Sequence, residues 1–440
     1  MPALRVGARW LVGVASPPVE GGAVLIAGDG RVVAAGRSTE VPTPAGALAL
    51  DFGEAAILPG LVNTHAHLEL TALRGLVRDL RFPAWVAKVR RLKDALAGAD
   101  VQASARWGVL EGFAAGITAT GDTGSTGAAA AALAALGARG VAYQEVFGPD
   151  PAQAEESLRG LEAAVEALLP LASERVRIGV SPHAPYTVSE PLLRGVVAVA
   201  SARGWRVAMH VAESPEEDQF VRHGAGPFAD ARRQRGISVE ARGCSPLAWI
   251  RRTGLLDIRP LLIHCVTADG DDAVAIARAA ATVAHCPWSN AVLRNGRADL
   301  ALFRRLGITV GAGTDSVAAG GGLDLFREIR LAALGCRLTP REMLRLATAD
   351  AAAALGLAGA GVLAPGAWGD VCVVGFGRSA LAGAADPEEA VALGAGPADV
   401  VFTAVAGRPV WRDGSWPGVD AAAERGALEA SASRARAAAS

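Results

Sequence analysis

Eight short apolar segments recur through the middle of this 440-residue chain, each followed by or set apart from the next by a stretch rich in Ala, Leu and Arg. They read "AILPGLVNTH", "GITATGDTG", "VAYQEVFG", "RVRIGVSPH", "WRVAMHVAE", "PLLIHCVTAD", "ATVAHCPWSN" and "GITVGAGTD". Strands buried on both faces carry such continuous apolar runs, and helical crossovers between them keep the strands parallel. Eight consecutive units of this kind predict an α/β chain whose centre is a (β/α)8 TIM barrel. A doubly wound sheet is the alternative, but no G-x-G-x-x-G follows the first strand.

The two ends read differently. "LRVGARWLVG", "GGAVLIAGDG" and "RVVAAG" near the start, and "GDVCVVGF" and "DVVFTAVAGRPVWRDGSW" near the finish, are short strands punctuated by Gly turns. The simplest assembly pairs residues 1–56 with residues 359–420 as one small β-sandwich domain beside a barrel over residues 57–358. Residues 421–440 follow as a helical tail. One connection is long for a barrel: between "MHVAES" and "LLIHC" lie "RHGAGPFADARRQRG" and "ARGCSPLAWIRR". Such an insertion at the barrel top is expected to be a lid or specificity element.

Composition narrows the partners. The formal net charge is -1 with no basic or acidic block, which argues against nucleic acid or a membrane surface. The uncharged run from Ala351 to Gly369 contains five glycines and Pro365, so it does not read as a membrane-spanning helix. Five scattered cysteines without a CxxC fit a reducing cytoplasm rather than a disulfide framework. A small molecule is the expected partner, with a homodimer left open as the assembly.

The polar residues that end the strands carry the chemistry. In "NTHAHLEL", His65 and His67 are two apart, so both project to one side at the end of the first strand. Two imidazoles so placed suit a zinc-like ion. "HVAES" ends the fifth strand with His210 and Glu213, "HC" ends the sixth with His264, and "GTDS" ends the eighth with Asp315. A barrel brings these distant strand ends to one mouth. Several imidazoles and a carboxylate buried together are costly unless they bind something.

In these motifs, in their order, and in "GVLAPGAWGDVCVV" near the C-terminus, the chain resembles the amidohydrolase superfamily, in its deaminase and chlorohydrolase branch. The resemblance spans essentially the whole chain. It implies a divalent metal held by His65, His67, His210 and Asp315, with Glu213 as general acid/base and His264 and Asp315 orienting the water. Two-metal relatives bridge their ions with a lysine, Glu or Cys on the fourth strand. Both lysines here, Lys88 and Lys93, follow the first strand, so one ion is expected, zinc before iron.

The same resemblance addresses the substrate. "SPHAPYTVS" is similar to the segment by which adenosine-type deaminases hold the ribose, which assigns His183 to the nucleoside. "NTHAHLEL", the long insertion, "CPWSN" and "GTDSVAAGGGLDLFREI" together look like aminodeoxyfutalosine deaminases of menaquinone biosynthesis, which act on an adenine nucleoside bearing a benzoate. Glu69 is expected to meet the purine or sugar, and Trp288 and Asn290 of "CPWSN" the substrate. Trp85 and Trp288 are candidate stacking walls. Departures keep other substrates open: Thr267 stands where related deaminases often have a second His, and Trp288 where a smaller or basic residue is usual. S-adenosylhomocysteine, methylthioadenosine, another aminopurine or a triazine are the alternatives within this chemistry. A non-catalytic scaffold barrel is the alternative outside it; all four ligand positions and Glu213 are present, which argues against it.

Overall fold

Residues 1–78, 81–377 and 381–439 are described by the computed structural model of the chain. Eight parallel strands form the centre: β6 (Leu61–Ala66), β7 (Ile117–Gly124), β8 (Arg139–Val146), β9 (Val176–Pro182), β10 (Arg206–Val211), β11 (Leu261–His264), β12 (Thr282–His285) and β13 (Val310–Ala312). Each pairs with the next in sequence order. A parallel bridge between Ala66 and Asp315 closes the ring between the first and eighth strands. The protein is a (β/α)8 TIM barrel, and every one of the eight apolar segments supplies one of its strands.

The chain ends make a second sheet. Strands β1 (Leu4–Leu11), β2 (Val19–Ile26), β3 (Val32–Arg37), β4 (Leu48–Asp51) and β5 (Ala55–Pro59) join β14 (Val371–Gly375), β15 (Val400–Val405) and β16 (Arg408–Arg412). The order is β16-β15-β14-β5-β1-β2-β3, with β4 on β1, so the small β domain is one mixed sheet. Its core is Leu4, Val6, Val24, Ile57, Val373 and Phe402, which are buried. The first apolar segment serves both sheets. β5 pairs with β14, the chain crosses at Gly60, and β6 enters the barrel, so the boundary expected after residue 56 falls inside β5. Gly60 permits the crossing because a Cβ there would lie 2.3 Å from the Thr118 hydroxyl.

The uncharged run beginning at Ala351 has a structural role in the barrel floor. The short helix Ala349–Ala354 packs, with Leu355 and Leu357, against Val62, Val141, Ala208 and Ile263 inside the barrel. Two strand glycines admit it: a Cβ on Gly311 would lie 2.7 Å from the Ala351 Cα, and one on Gly121 would lie 2.6 Å from a Leu355 methyl. Among the described residues no helix is long and apolar enough to cross a membrane.

The long connection after β10 forms three short helices, Pro215–His223, Pro227–Gln234 and Pro246–Arg252, each started by a proline in its first turn. Phe228 of the second stacks on Tyr186 with ring centroids 3.9 Å apart. Phe82, from the helix Phe82–Asp94 that follows the first strand, packs edge-on against both. The insertion and the first crossover thus meet in one aromatic cluster beside His183. The tail forms the helix Ala421–Ala439. It lies on the helix Gly98–Ala114, pinned by Arg106–Glu424, Arg434–Asp100 and Ser431–Asp100 contacts.

Candidate metal and catalytic centre

His65 stands one residue before the end of β6 and His67 one residue beyond it; both rings face the barrel mouth with centroids 4.7 Å apart. His210, near the end of β10, places its ring 4.9 Å from His65 and 5.4 Å from His67. Asp315, just past β13, sets Oδ1 3.4 Å from the Nε2 atoms of both His65 and His67. Donor atoms of His65, His67 and His210 all lie within 4.8 Å of one another, as do those of His65, His264 and Asp315.

Backbone geometry at the strand ends makes this convergence. Ala212, His264, Cys265 and Asp315 have φ of 53°, 76°, 50° and 56°. Non-glycine residues adopt the left-handed region at a cost, and such outliers gather where surroundings fix a functional geometry. Here they turn the chain sharply as each strand leaves the barrel.

A second layer of hydrogen bonds fixes how the imidazoles point. His67 Nδ1 donates to the Thr123 carbonyl at 2.8 Å and His210 Nδ1 to the His183 carbonyl at 3.1 Å. A carbonyl can only accept, so each Nε2 is left as a lone-pair donor toward the centre. His264 Nδ1 contacts Asn290 Oδ1 at 2.9 Å. Ser289 donates to Asp315 Oδ2, and the Ser316 N–H to Oδ1. Burial holds the His65 imidazolium down to about 4 and pushes those of His210 and His264 below the usual range. Burial opposes ionisation of Asp315 as well, but His65, His264 and His67 outweigh it and hold the carboxylate charged.

Neutral imidazoles and one carboxylate are the ligand forms a divalent ion needs. Both ring nitrogens of His65 and Nε2 of His264 are buried without any hydrogen-bond partner. Orphaned nitrogens in a site this closed are what a metal would satisfy. His65, His67, His210 and Asp315 therefore fit a zinc-type ion.

The amidohydrolase family matches residues 56–410. The chain belongs to the amidohydrolase family. A 5-methylthioadenosine/S-adenosylhomocysteine deaminase from Symbiobacterium thermophilum is 31% identical over 408 residues, covering 90% of this chain and 89% of the relative. An aminodeoxyfutalosine deaminase from Deinococcus radiodurans is 32% identical, covering 74% of this chain and 79% of the relative. In fold, the amidohydrolase matches an adenosine deaminase from Xanthomonas campestris, solved with bound zinc, at a TM-score of 0.84 and 23% identity over 99% of this chain and 98% of that one.

Beside the candidate ligand set of this amidohydrolase, Glu213 follows β10. Its Oε1 lies 3.5 Å from His264 Nε2 and 3.5 Å from Asn295 Nδ2. Burial, with Asp315 and Glu217 nearby, raises its pKa well above the usual carboxyl range, which favours the protonated form. Glu217 accepts the backbone N–H groups of Ala212 and Glu213 at 2.8 and 2.9 Å, which sets the turn that presents Glu213.

The remaining expected residues separate. His183 sits at the mouth, with Nδ1 on Thr187 and its ring against Phe147 and His210. Asn290 is engaged in orienting His264. Trp288 donates its indole N–H to the Gly320 carbonyl and lines the mouth with Trp85. Glu69 is a correction. Expected at the purine or sugar, it is 1% exposed and accepts from Lys93, the Ser125 N–H and the Thr126 hydroxyl. Burial opposes its charge, but the Lys93 ammonium beside it holds the carboxyl below the usual range.

Sequence reasoning passed over Asp122 and Glu145. Both sit in the C-terminal half of otherwise apolar strands, β7 and β8, so the rule that singled out His210 and Asp315 applies to them equally. Asp122 accepts the Leu68 N–H, between the ligands and Glu69. Glu145 places a carboxylate oxygen within 4.8 Å of His183 and His210 donors, and its Oε1 has no partner. Ser289 stands inside the "CPWSN" motif but was passed over for its neighbours Trp288 and Asn290, and Asn295 had no signal, because only the folded loop brings it to Glu213.

Proposed function

We propose that this amidohydrolase removes the ring amine of an adenine-type nucleoside by hydrolysis, with aminodeoxyfutalosine as the substrate that fits best. One divalent ion, zinc in preference to iron, would be held by His65, His67, His210 and Asp315, and bound there it would supply the Lewis acidity that makes water a usable nucleophile near neutral pH. Asp315 and His264 orient the attacking water and take its proton. Glu213 protonates the ring nitrogen next to the amine-bearing carbon as the C–O bond forms. Glu213 then takes the proton of the newly attached hydroxyl and delivers it to the departing nitrogen as the C–N bond breaks, so ammonia leaves and a carbonyl remains in the ring, and the proton held by Asp315 and His264 returns to Glu213 for the next turnover. A carboxyl group that must both give and take a proton works best with a pKa raised toward neutrality.

The observation that carries this reading is the buried, pKa-raised Glu213, 3.5 Å from His264 at the edge of the orphaned ligand set. Burial, with the fields of neighbouring histidines and Lys93, keeps His183 uncharged, down to about 3, which suits it to accept a hydroxyl or donate to a ring nitrogen of a nucleoside. The relatives support the same class: both are deaminases of adenine nucleosides by name. A second reading, deamination of methylthioadenosine or S-adenosylhomocysteine, is favoured by the Symbiobacterium relative, which covers more of the chain.

The test is kcat/KM for ammonia release across aminodeoxyfutalosine, S-adenosylhomocysteine, methylthioadenosine, adenosine, free bases and triazines. Aminodeoxyfutalosine is expected to exceed adenosine at least about tenfold, roughly 1.4 kcal/mol of transition-state binding. Clear superiority of S-adenosylhomocysteine moves the assignment to the second reading, and faster turnover of free bases or triazines rejects both.

A further inference from the structure

The helix Leu325–Ala333 carries one polar residue on its buried face. Leu325, Phe326, Ile329 and Ala332 pack inward, and Glu328 lies fully buried among them. Burial lifts its carboxyl to about 7, with Arg327 and the Trp288 N–H offsetting part of the rise. A carboxyl group is costly in such a place unless its oxygens find donors. Oε1 accepts from Arg327 Nη2 at 3.0 Å and Nε at 3.3 Å, and Oε2 accepts the backbone N–H of Trp288 at 3.0 Å.

The bond to Trp288 leads to the reacting groups. Trp288 belongs to the helix Pro287–Val292 that follows β12, and Cys286 before it makes no side-chain cap bond. The first N–H groups of a helix have no partner within it, so Glu328 caps this helix from another element. The next two residues are Ser289 and Asn290, which hold Asp315 Oδ2 and His264 Nδ1. Arg327 ties in the segment after β13. Its Nη1 donates to the Gly320 carbonyl at 3.1 Å, the same carbonyl that accepts the Trp288 indole N–H at 2.9 Å. Its guanidinium lies 4.7 Å from the centre of the indole. Gly320 donates its N–H to the carbonyl of Ser316, whose own N–H donates to Asp315 Oδ1. One carboxyl group thus joins the two segments that hold Asp315.

Resting on the deaminase reading above, we propose that Glu328 is a positioning residue of the reaction: its bond to the Trp288 N–H sets the register in which Ser289 holds Asp315 and Asn290 holds His264. Glu328 hydrogen-bonds to neither Asp315 nor His264 and acts through the helix it caps. A misplacement of about 1 Å among reacting groups can cost roughly 100-fold in rate, so a cap this close to them bears on turnover as well as on folding.

Two variants separate positioning from plain support of the fold. Glu328→Gln keeps an oxygen at the length that meets the Trp288 N–H but loses the charge that pairs with Arg327. Glu328→Asp keeps the charge but is one methylene too short to reach. The experiment measures kcat per bound ion and KM on aminodeoxyfutalosine and methylthioadenosine with metal-loaded protein. It also records the visible absorption of cobalt-loaded protein, which reports the geometry around the ion. Glu328→Asp is expected to lower kcat at least about tenfold with KM within about threefold, and to shift the cobalt absorption. Glu328→Gln is expected to lose thermal stability but to keep kcat within about threefold, with the spectrum in place. Support of the fold through the Arg327 pair alone predicts the reverse order, with Glu328→Asp the milder change. That order, or full kcat per bound ion and unchanged spectra in both variants, overturns the proposal. If the unsubstituted protein turns over neither nucleoside, the deaminase reading fails, and the cobalt spectra still decide the positioning: a shift in Glu328→Asp alone upholds it, and no shift rejects it.

Discussion

At the scale of single residues, Glu213 concentrates the chemistry. Glu213→Gln keeps the size and the contact with Asn295 but removes the proton that the mechanism moves twice. Turnover is expected to fall at least about 100-fold, the lower range for general acid/base catalysis, with the bound metal retained on elemental analysis. Near-normal ammonia release from that variant would place the proton shuttle elsewhere. His65, His67, His210, Glu213, His264 and Asp315 were legible in the sequence because each stands at the end of an apolar strand, where a barrel must bring it to the mouth. Glu69 was misjudged for a physical reason. Its nearness to His67 in sequence suggested the substrate, but the chain turns into a short 3-10 helix at Leu68–Leu73 and directs the carboxylate to Lys93. That partner lies 24 residues away, and its approach depends on the packing of the helix Phe82–Asp94.

At the scale of elements, the Lys93–Glu69 pair anchors that helix over the barrel mouth. Lys93 also donates to Ser125 at 2.8 Å, so one ammonium ties the first crossover to the loop after β7. Lys93→Met would leave a buried carboxylate uncompensated and is expected to cost about 3 kcal/mol, measured by denaturant unfolding. The pH dependence has a definite sign. Burial opposes both charges, but each partner outweighs it, so the Glu69 pKa is lowered from 4.5 and that of Lys93 raised from 10.5 on folding. The stabilisation is therefore fully present between pH 4.5 and 10.5. It fades below that window as Glu69 protonates, and above it as Lys93 loses its proton. The stability gap between the unsubstituted protein and Lys93→Met should narrow at both extremes; a gap that widens as the pH falls below the window contradicts the pairing.

Barrel closure supplies a second test at this scale. Gly121 faces the Thr64 carbonyl, and a Cβ there would lie 2.5 Å from that oxygen, one residue before His65. Gly121→Ala is expected to destabilise by about 1–3 kcal/mol through overpacking and to disturb metal retention, because the strand that carries His65 must shift. Unchanged stability would show that β6 and β7 have more room than their glycine implies.

At the scale of the whole molecule, the two chain ends do more than flank the barrel. The fully buried Arg139–Asp370 pair joins β8 to the segment entering β14, and Asp370 also accepts the Ala406 N–H. Trp368 lies beneath both Arg139 and Arg31, so the terminal sheet and the barrel share one polar junction. The barrel and the β-rich ends were readable from period and turn residues alone. That the ends form one sheet, and that the Ala-rich run fills the barrel floor, depended on contacts no local pattern encodes. The central claim is that this mouth replaces a ring amine by oxygen from water. Incubating the metal-loaded protein with aminodeoxyfutalosine or methylthioadenosine in heavy-oxygen water, and weighing the product by mass spectrometry, tests it directly. One heavy oxygen in the purine ring with an equivalent of ammonia released is the expected result. A product with its amine intact, or with heavy oxygen only outside the ring, would contradict it.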